Sequence, residues 1–136
     1  VPFTWDVHVR FNDCDGMRHV NNATYLSYVE DARIAFFTQL KAYDGKGFIG
    51  RGLIVARTEV DYVKPALFGR GPVQVTVDVQ SVGRKSFRMG YLLRQDGDEV
   101  ARAVTVMVAY NYKEQTSRPL DEGERDALEA HLARAG

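Results

Sequence analysis

The chain has 136 residues, 45% hydrophobic and 26% charged, with 18 lysines and arginines against 18 aspartates and glutamates. That length supports one domain, 1–136, with a real core, and the balanced charge offers no global field for nucleic acid or an anionic membrane. No apolar run is long enough to span a bilayer, and the single cysteine, Cys14, excludes an internal disulfide and a cysteine-rich zinc site.

The opening VPFTWDVHVR lacks the basic start and apolar core of a secretory signal. Together with the lone cysteine, this predicts a cytoplasmic protein. Residues 5–11 alternate, with Trp5, Val7, Val9 and Phe11 on one side and Asp6, His8 and Arg10 on the other, which predicts a half-buried strand. A polar loop follows at 12–22.

Residues 23–40 lack Gly and Pro and change period. Tyr25, Val29, Ala32, Phe36 and Leu40 fall at helical spacing, widened by Leu26, Ile34 and Phe37, and predict a long amphipathic helix. Asn21 or Asn22 is placed to cap it, because an asparagine oxygen accepts from the free first-turn amides. The glycine-rich stretch YDGKGFIGRG ends the helix. Its glycines lack the spacing and the lysine of a phosphate-binding loop.

Strands are predicted over 53–63, 73–82, 86–94 and 99–112. The second alternates Val73, Val75, Val77 and Val79 against Gln74, Thr76, Asp78 and Gln80. QDGDE between the last two is a hairpin turn signal. After Pro119 a short amphipathic helix closes the chain. One long helix followed by strands in near-hairpin succession predicts an α+β fold with an antiparallel sheet. Such a sheet has open edges and a second face, and its valine-rich faces predict self-association, as a homodimer or homotetramer.

Three segments together resemble the hotdog-fold thioesterases of the 4-hydroxybenzoyl-CoA and acyl-ACP thioesterase-like branches. They are RFNDCDGMRHVNNATYLSYVEDAR, VDYVKPALFGRGPVQV and VGRKSFRM. The resemblance implies a sheet wrapped around a long central helix, and an active site at a dimer interface. It further implies hydrolysis of an acyl-CoA or acyl-ACP thioester without cofactor or metal. Asp15, the second aspartate of Asp13-Cys14-Asp15, matches the catalytic carboxylate of the hydroxybenzoyl branch. His19 matches a histidine of the acyl-ACP motif, and Asn22 stands where a relative carries a functional histidine. Tyr25, Tyr28, Phe36 and Phe37 are expected in the core and interface, with Tyr25 placed to line the substrate pocket. Arg84, Lys85 and Ser86, with Arg88, Arg70 and Lys64 expected nearby, match the basic residues that hold nucleotide phosphates.

The residue types suit that chemistry. Thioester hydrolysis needs an activated water or a nucleophile, and donors for the oxyanion that forms on the carbonyl. A loop carboxylate just before a long helix supplies the first, and the helix N-terminus supplies amides for the second. Asp13 is expected to organise the loop. Glu30 is expected to pair with Arg33 three residues on, and Cys14 to pack as a small apolar residue. Met17 and Phe11 stand where relatives carry polar groups, which keeps a non-catalytic acyl-binding domain as a second reading. A hotdog hydratase or dehydratase is a third.

Overall fold

The computed structural model describes residues 2–40 and 52–132. Strands β1 (Phe3–Val7), β2 (Leu53–Tyr62), β3 (Val73–Val82), β4 (Ser86–Gln95), β5 (Asp98–Asn111) and β6 (Thr116–Ser117) form one antiparallel sheet. Helix α1 (Thr24–Gln39) stands between β1 and β2, and α2 (Glu122–Glu129) follows β6. The fold is α+β, as the sequence predicts.

The strand order is β1-β3-β4-β5-β2, with β6 on the end of β5. β3, β4 and β5 are successive hairpins, and their sequence pattern dictates the register. Val73, Val75, Val77 and Val79 are all buried, and Thr76 and Asp78 between them are half-buried on the other face. The β4–β5 turn has Asp96 at φ 52° and Gly97 at φ 84°, the paired positive values of a tight hairpin turn that Asp-Gly tolerates. β2 departs from simple succession: it pairs with β5, at the far edge from β1. The connection carrying α1 therefore runs from one edge of the sheet to the other. The β2–β3 connection is diverted into serving the polar loop, as described below.

Helix α1 buries Tyr25, Tyr28, Val29, Ala32, Phe36 and Phe37. Leu26 and Ile34, predicted to widen this face, are 44% and 46% exposed, whereas Tyr28 is buried. A residue three positions from Tyr25 and four from Ala32 lies on the same stripe, whereas Leu26 and Ile34 fall outside it. Phe36 stacks edge-on with Phe3 of β1, and Phe37 with Phe87 of β4.

β1 begins and ends earlier than predicted. Val7 and Val9 are buried, but Phe11 opens a short 3-10 turn, Phe11–Asp13, and is 71% exposed. The glycine-rich stretch predicted to end α1 lies outside the described residues except for Gly52. The terminal helix α2 is capped at both partners of a box: Asp121 accepts from the Glu124 amide at 2.8 Å, and Glu124 accepts from the Asp121 amide at 3.0 Å. No described helix is long and apolar enough to cross a membrane.

Candidate active site

The polar loop folds as a miniature hairpin. The Asn21 amide donates to the Asp13 carbonyl at 2.8 Å, Cys14 bridges Val20, and the Asp15 amide donates to the His19 carbonyl at 2.9 Å. Arg18 turns the tip at φ 64°. The stem is then sewn to the β2–β3 connection, by the Val20 amide on the Ala66 carbonyl (2.8 Å) and the Phe68 amide on the Arg18 carbonyl (3.1 Å). This is where the β2–β3 backbone spends its hydrogen bonds.

The two aspartates differ in environment. Asp13 is 6% exposed, and its Oδ2 accepts from the Tyr28 hydroxyl at 2.8 Å and the Arg10 amide at 2.9 Å. Burial alone pushes the Asp13 carboxyl up. The Arg10 amide, the Tyr28 hydroxyl and the Arg10 guanidinium outweigh it and hold the group below its ordinary value. Asp13 thus organises the loop. Burial, the bond to Asp13 and its charge push the Tyr28 phenol far up, so it stays a donor. Asp15 is exposed, with one carboxylate oxygen, Oδ1, accepting from the Met17 amide at 2.9 Å and the His19 amide at 3.3 Å. Those two bonds fix the carboxylate on the loop while leaving it open to solvent.

Asp15, His19, Asn22 and Tyr25 line one cleft of about 380 Å³ together with Tyr62 and Lys64. The structure therefore brings together four of the predicted site residues. A larger hollow, about 650 Å³, lies on the open sheet face around Gly90 and Val104 and contains none of them. The predicted asparagine cap is displaced. Ala23 occupies the cap position with no side-chain bond, and Asn21 Oδ1 accepts from the Ala23 amide at 2.9 Å, before the helix begins. The Thr24 and Leu26 amides are taken by the Asn21 and Ala23 carbonyls. Among the described residues, the amides of Asn22 and Tyr25 have no protein acceptor, and both residues line the cleft.

Two tyrosines line this mouth. The Tyr25 hydroxyl accepts from the Ala66 amide at 2.8 Å, and Tyr62 donates to the Asn22 carbonyl at 2.9 Å. The rings of Tyr25 and Tyr62 meet edge-on at 5.2 Å. Tyr62 was not among the predicted site residues. Tyr62 sits at a strand end, where alternation says nothing about neighbours across the fold.

Arg84, Lys85 and Ser86 lie at the β3–β4 turn, at the other end of the sheet from the cleft. The ten residues of β3 separate them, roughly 30 Å at strand rise. Arg84 and Lys85 are exposed and Ser86 is half-buried. Lys64 and Arg70, expected beside them, are instead at the cleft end, where Lys64 is 3.8 Å from Asp98 and Arg70 2.9 Å from Asp96. The difference follows from β3 running the whole length of the sheet between Arg70 and Arg84. Glu30 does face Arg33, at a loose 3.9 Å. Burial and the neighbouring aspartates push the Cys14 thiol up, which disfavours the thiolate. Among the described residues no cluster of His, Cys, Asp and Glu could hold a metal ion.

The sequence pattern of the thioesterase-like superfamily matches residues 9–133. Among characterised relatives, the chain is 27% identical to the 1,4-dihydroxy-2-naphthoyl-CoA hydrolase of Synechococcus elongatus, covering 89% of this chain and 90% of that protein. It is 26% identical to the long-chain acyl-CoA thioesterase FadM of Escherichia coli, covering 90% and 94%. Among solved structures, a thioesterase of Thermus thermophilus in complex with coenzyme A and zinc is 38% identical, with TM-score 0.82 over 97% of this chain and 95% of that one. A predicted thioesterase of Bacillus stearothermophilus is 26% identical, with TM-score 0.88 over the whole of both chains.

Proposed function

Since the chain belongs to the thioesterase-like superfamily, we propose that it is an acyl-CoA thioesterase, with acyl-ACP as the other carrier, and that Asp15 is its catalytic carboxylate. The observation that carries this reading is the contrast between the aspartates. Asp13 is buried and spent on structure, while Asp15 is exposed in the cleft, held by its own loop.

In the proposed reaction the Asp15 carboxylate takes a proton from water as the water oxygen attacks the thioester carbonyl carbon. The oxyanion falls to the Asn22 and Tyr25 amides at the start of α1, where the helix dipole adds to their pull. Collapse of the tetrahedral intermediate breaks the carbon–sulfur bond. The thiolate leaves and takes the proton from Asp15, giving a free acid and a thiol and restoring the carboxylate. His19 lines the same cleft and orients the water. No cofactor or metal takes part.

We infer that a second copy completes the site, in a homodimer or homotetramer of the hotdog type. β2 is an edge strand of ten residues in which Val55 and Tyr62 are 43% and 47% exposed, an open row of backbone donors and acceptors beside the cleft. In this arrangement Arg84, Lys85 and Ser86 of one copy serve the substrate held by the other, because one chain's own basic turn is too far from its own cleft. Relatives acting on CoA thioesters, and one seen with coenzyme A, favour a CoA carrier.

The test is thiol release from short, long and aromatic acyl-CoAs by the wild type and Asp15→Asn. Loss of a general base predicts a fall in kcat of about 10²–10⁴-fold in a variant that unfolds like the wild type. Equal rates would remove Asp15 from the chemistry. Binding of acyl-CoA without turnover by either protein would favour the acyl-binding domain that Met17 and Phe11 suggest. Light scattering after size exclusion would settle the assembly, and a monomer would refute the shared site.

A further inference from the structure

The loop that carries Asp15 is held on two sides by different means. Toward the β2–β3 connection it is held by main-chain bonds to Ala66 and Phe68. That segment is fixed in turn by Gln95, 2% exposed, whose amide bonds both the N–H and the carbonyl of Leu67 and the Gly71 carbonyl. Toward the body of α1 the tie is a side chain. Tyr28, 1% exposed, reaches from the second turn of the helix to the Asp13 carboxylate.

Asp13 distributes that tie. Its carboxylate also takes the Arg10 amide, its own amide donates to the Arg10 carbonyl at 2.9 Å, and its carbonyl takes the Asn21 amide. Asp13 and Asn21 are thus the foot of the hairpin stem, and Asp15 stands two residues above it. We propose that Tyr28 is a positioning residue: its hydroxyl, acting through Asp13, sets where the Asp15 carboxylate stands relative to the first turn of α1. The inference rests on the reading of Asp15 as the catalytic carboxylate.

The physical need is specific. In hydrolysis the carbonyl must lie between a carboxylate on the loop and amides on the helix, and these belong to separate segments. A hydroxyl bonded to an ionised carboxylate is among the stronger neutral-donor ties. Where Tyr28 and Asp13 meet, burial leaves little water to replace it. Displacing a reacting group by about 1 Å costs on the order of a hundredfold in rate. Tyr28→Phe keeps the ring in its packing and removes only the tie.

Tyr91 supplies the control. It is 3% exposed and its hydroxyl bonds the Thr105 hydroxyl at 2.8 Å within the β4–β5 pair, outside the cleft. Five proteins are compared for thiol release: wild type, Tyr28→Phe, Tyr91→Phe, Asp15→Asn, and Tyr28→Phe in the Asp15→Asn background. Tyr28→Phe is expected to lower kcat by about ten- to a hundredfold with KM within a factor of two. Tyr91→Phe is expected to lower Tm comparably and leave kcat alone. In the Asp15→Asn background, Tyr28→Phe should have no further effect. If Asp15→Asn collapses while Tyr28→Phe turns over like the wild type, the positioning role is overturned and Asp15 stands. If Asp15→Asn is fully active, the catalytic reading falls instead.

Hydrogen exchange reads the geometry without substrate. Amides of residues 13–22, Met17 and His19 above all, should exchange about tenfold faster in Tyr28→Phe than in wild type or Tyr91→Phe. Unchanged exchange there overturns the inference whatever the turnover.

Discussion

The two ends of the sheet are built differently. At the cleft end, the polar loop has a stem of its own, with backbone pairs inside it and Asx bonds from Asp15 and Asn21, and is tied to the fold through Ala66, Phe68 and the Tyr28–Asp13 bond. At the far end, the β3–β4 turn is held from outside by α2 and its approach. The Leu120 amide donates to the Arg84 carbonyl at 2.9 Å, and the Arg125 guanidinium to the Gly83 carbonyl at 2.9 Å. The Arg118–Glu124 ion pair, with two bonds of 2.6 and 2.9 Å, locks that arrangement around a fully buried Glu124. A loop with its own stem, anchored at its foot, can hold a reacting group in place. A turn braced by a helix presents charge, here Arg84 and Lys85, and leaves chemistry to another site. A ligand that needs both ends is longer than local structure can explain within one chain.

Breaking the braced end should therefore cost stability and spare catalysis. Glu124→Ala removes one half of the cap box, the carboxylate that takes the Asp121 amide, and leaves Arg118 half-buried without its carboxylate. Breaking a buried pair costs roughly 3 kcal/mol, readable as a lower urea midpoint at unchanged m-value. Below the transition, kcat should stay within twofold. A variant that loses kcat in proportion to stability would show that the two ends are not independent.

A sharper division comes from the double substitution Arg84→Ala with Lys85→Ala. KM for a CoA thioester should rise about tenfold, the scale of losing two phosphate contacts, with kcat unchanged. The rise should shrink as salt is added, because both groups are exposed. A truncated substrate lacking the nucleotide, such as an N-acetylcysteamine thioester, should be hydrolysed equally by both proteins. An equal KM effect on the truncated substrate would move these residues from nucleotide binding to general structure.

The difference between the ends also explains what could be read in the sequence. β3 was legible because Val73 to Val79 alternate without a break and one face is buried, so only one register hides all four valines. The Asp96-Gly97 turn was legible because few residues accept two successive positive φ values. The helix was legible as an element, and Tyr28 as part of its buried face, but not the bond Tyr28 makes: its hydroxyl needs a partner, and that partner, Asp13, lies 15 residues away. The pairing of β2 with β5 has no local signal, since β2 has an exposed pattern and a bulge near Val55 and Arg57. Lys64 and Arg70 were grouped with Arg84 because they are all basic and near in sequence. The length of β3 separates them. Asp15, His19, Asn22 and Tyr25 fell together because a short loop running into a helix leaves them little freedom to be elsewhere.

The smallest expected effect concerns pH and bears on the loop end alone. The Asp13 carboxyl is held below its ordinary value of 3.8 by the Arg10 amide, the Tyr28 hydroxyl and the Arg10 guanidinium, against the opposing push of burial. The folded state therefore binds a proton at Asp13 less readily than the unfolded state. Its contribution is present in full well above pH 3.8, and is lost as pH falls through the lower, folded value. Unfolding free energy measured from pH 6 down to pH 2.5 should fall for the wild type in that lower window. Asp13→Asn keeps the size and one acceptor but cannot titrate. It should be less stable than the wild type at pH 6, and the gap between the two should narrow toward pH 2.5. The narrowing should be accompanied by lower protection of the Met17 and His19 amides in the wild type, taken relative to their intrinsic exchange rates at each pH, since protonating the foot of the stem slackens the loop above it. A gap that stays constant with pH would mean that Asp13 holds the loop by shape and not by charge, leaving the backbone stem to fix Asp15 without the carboxylate's help.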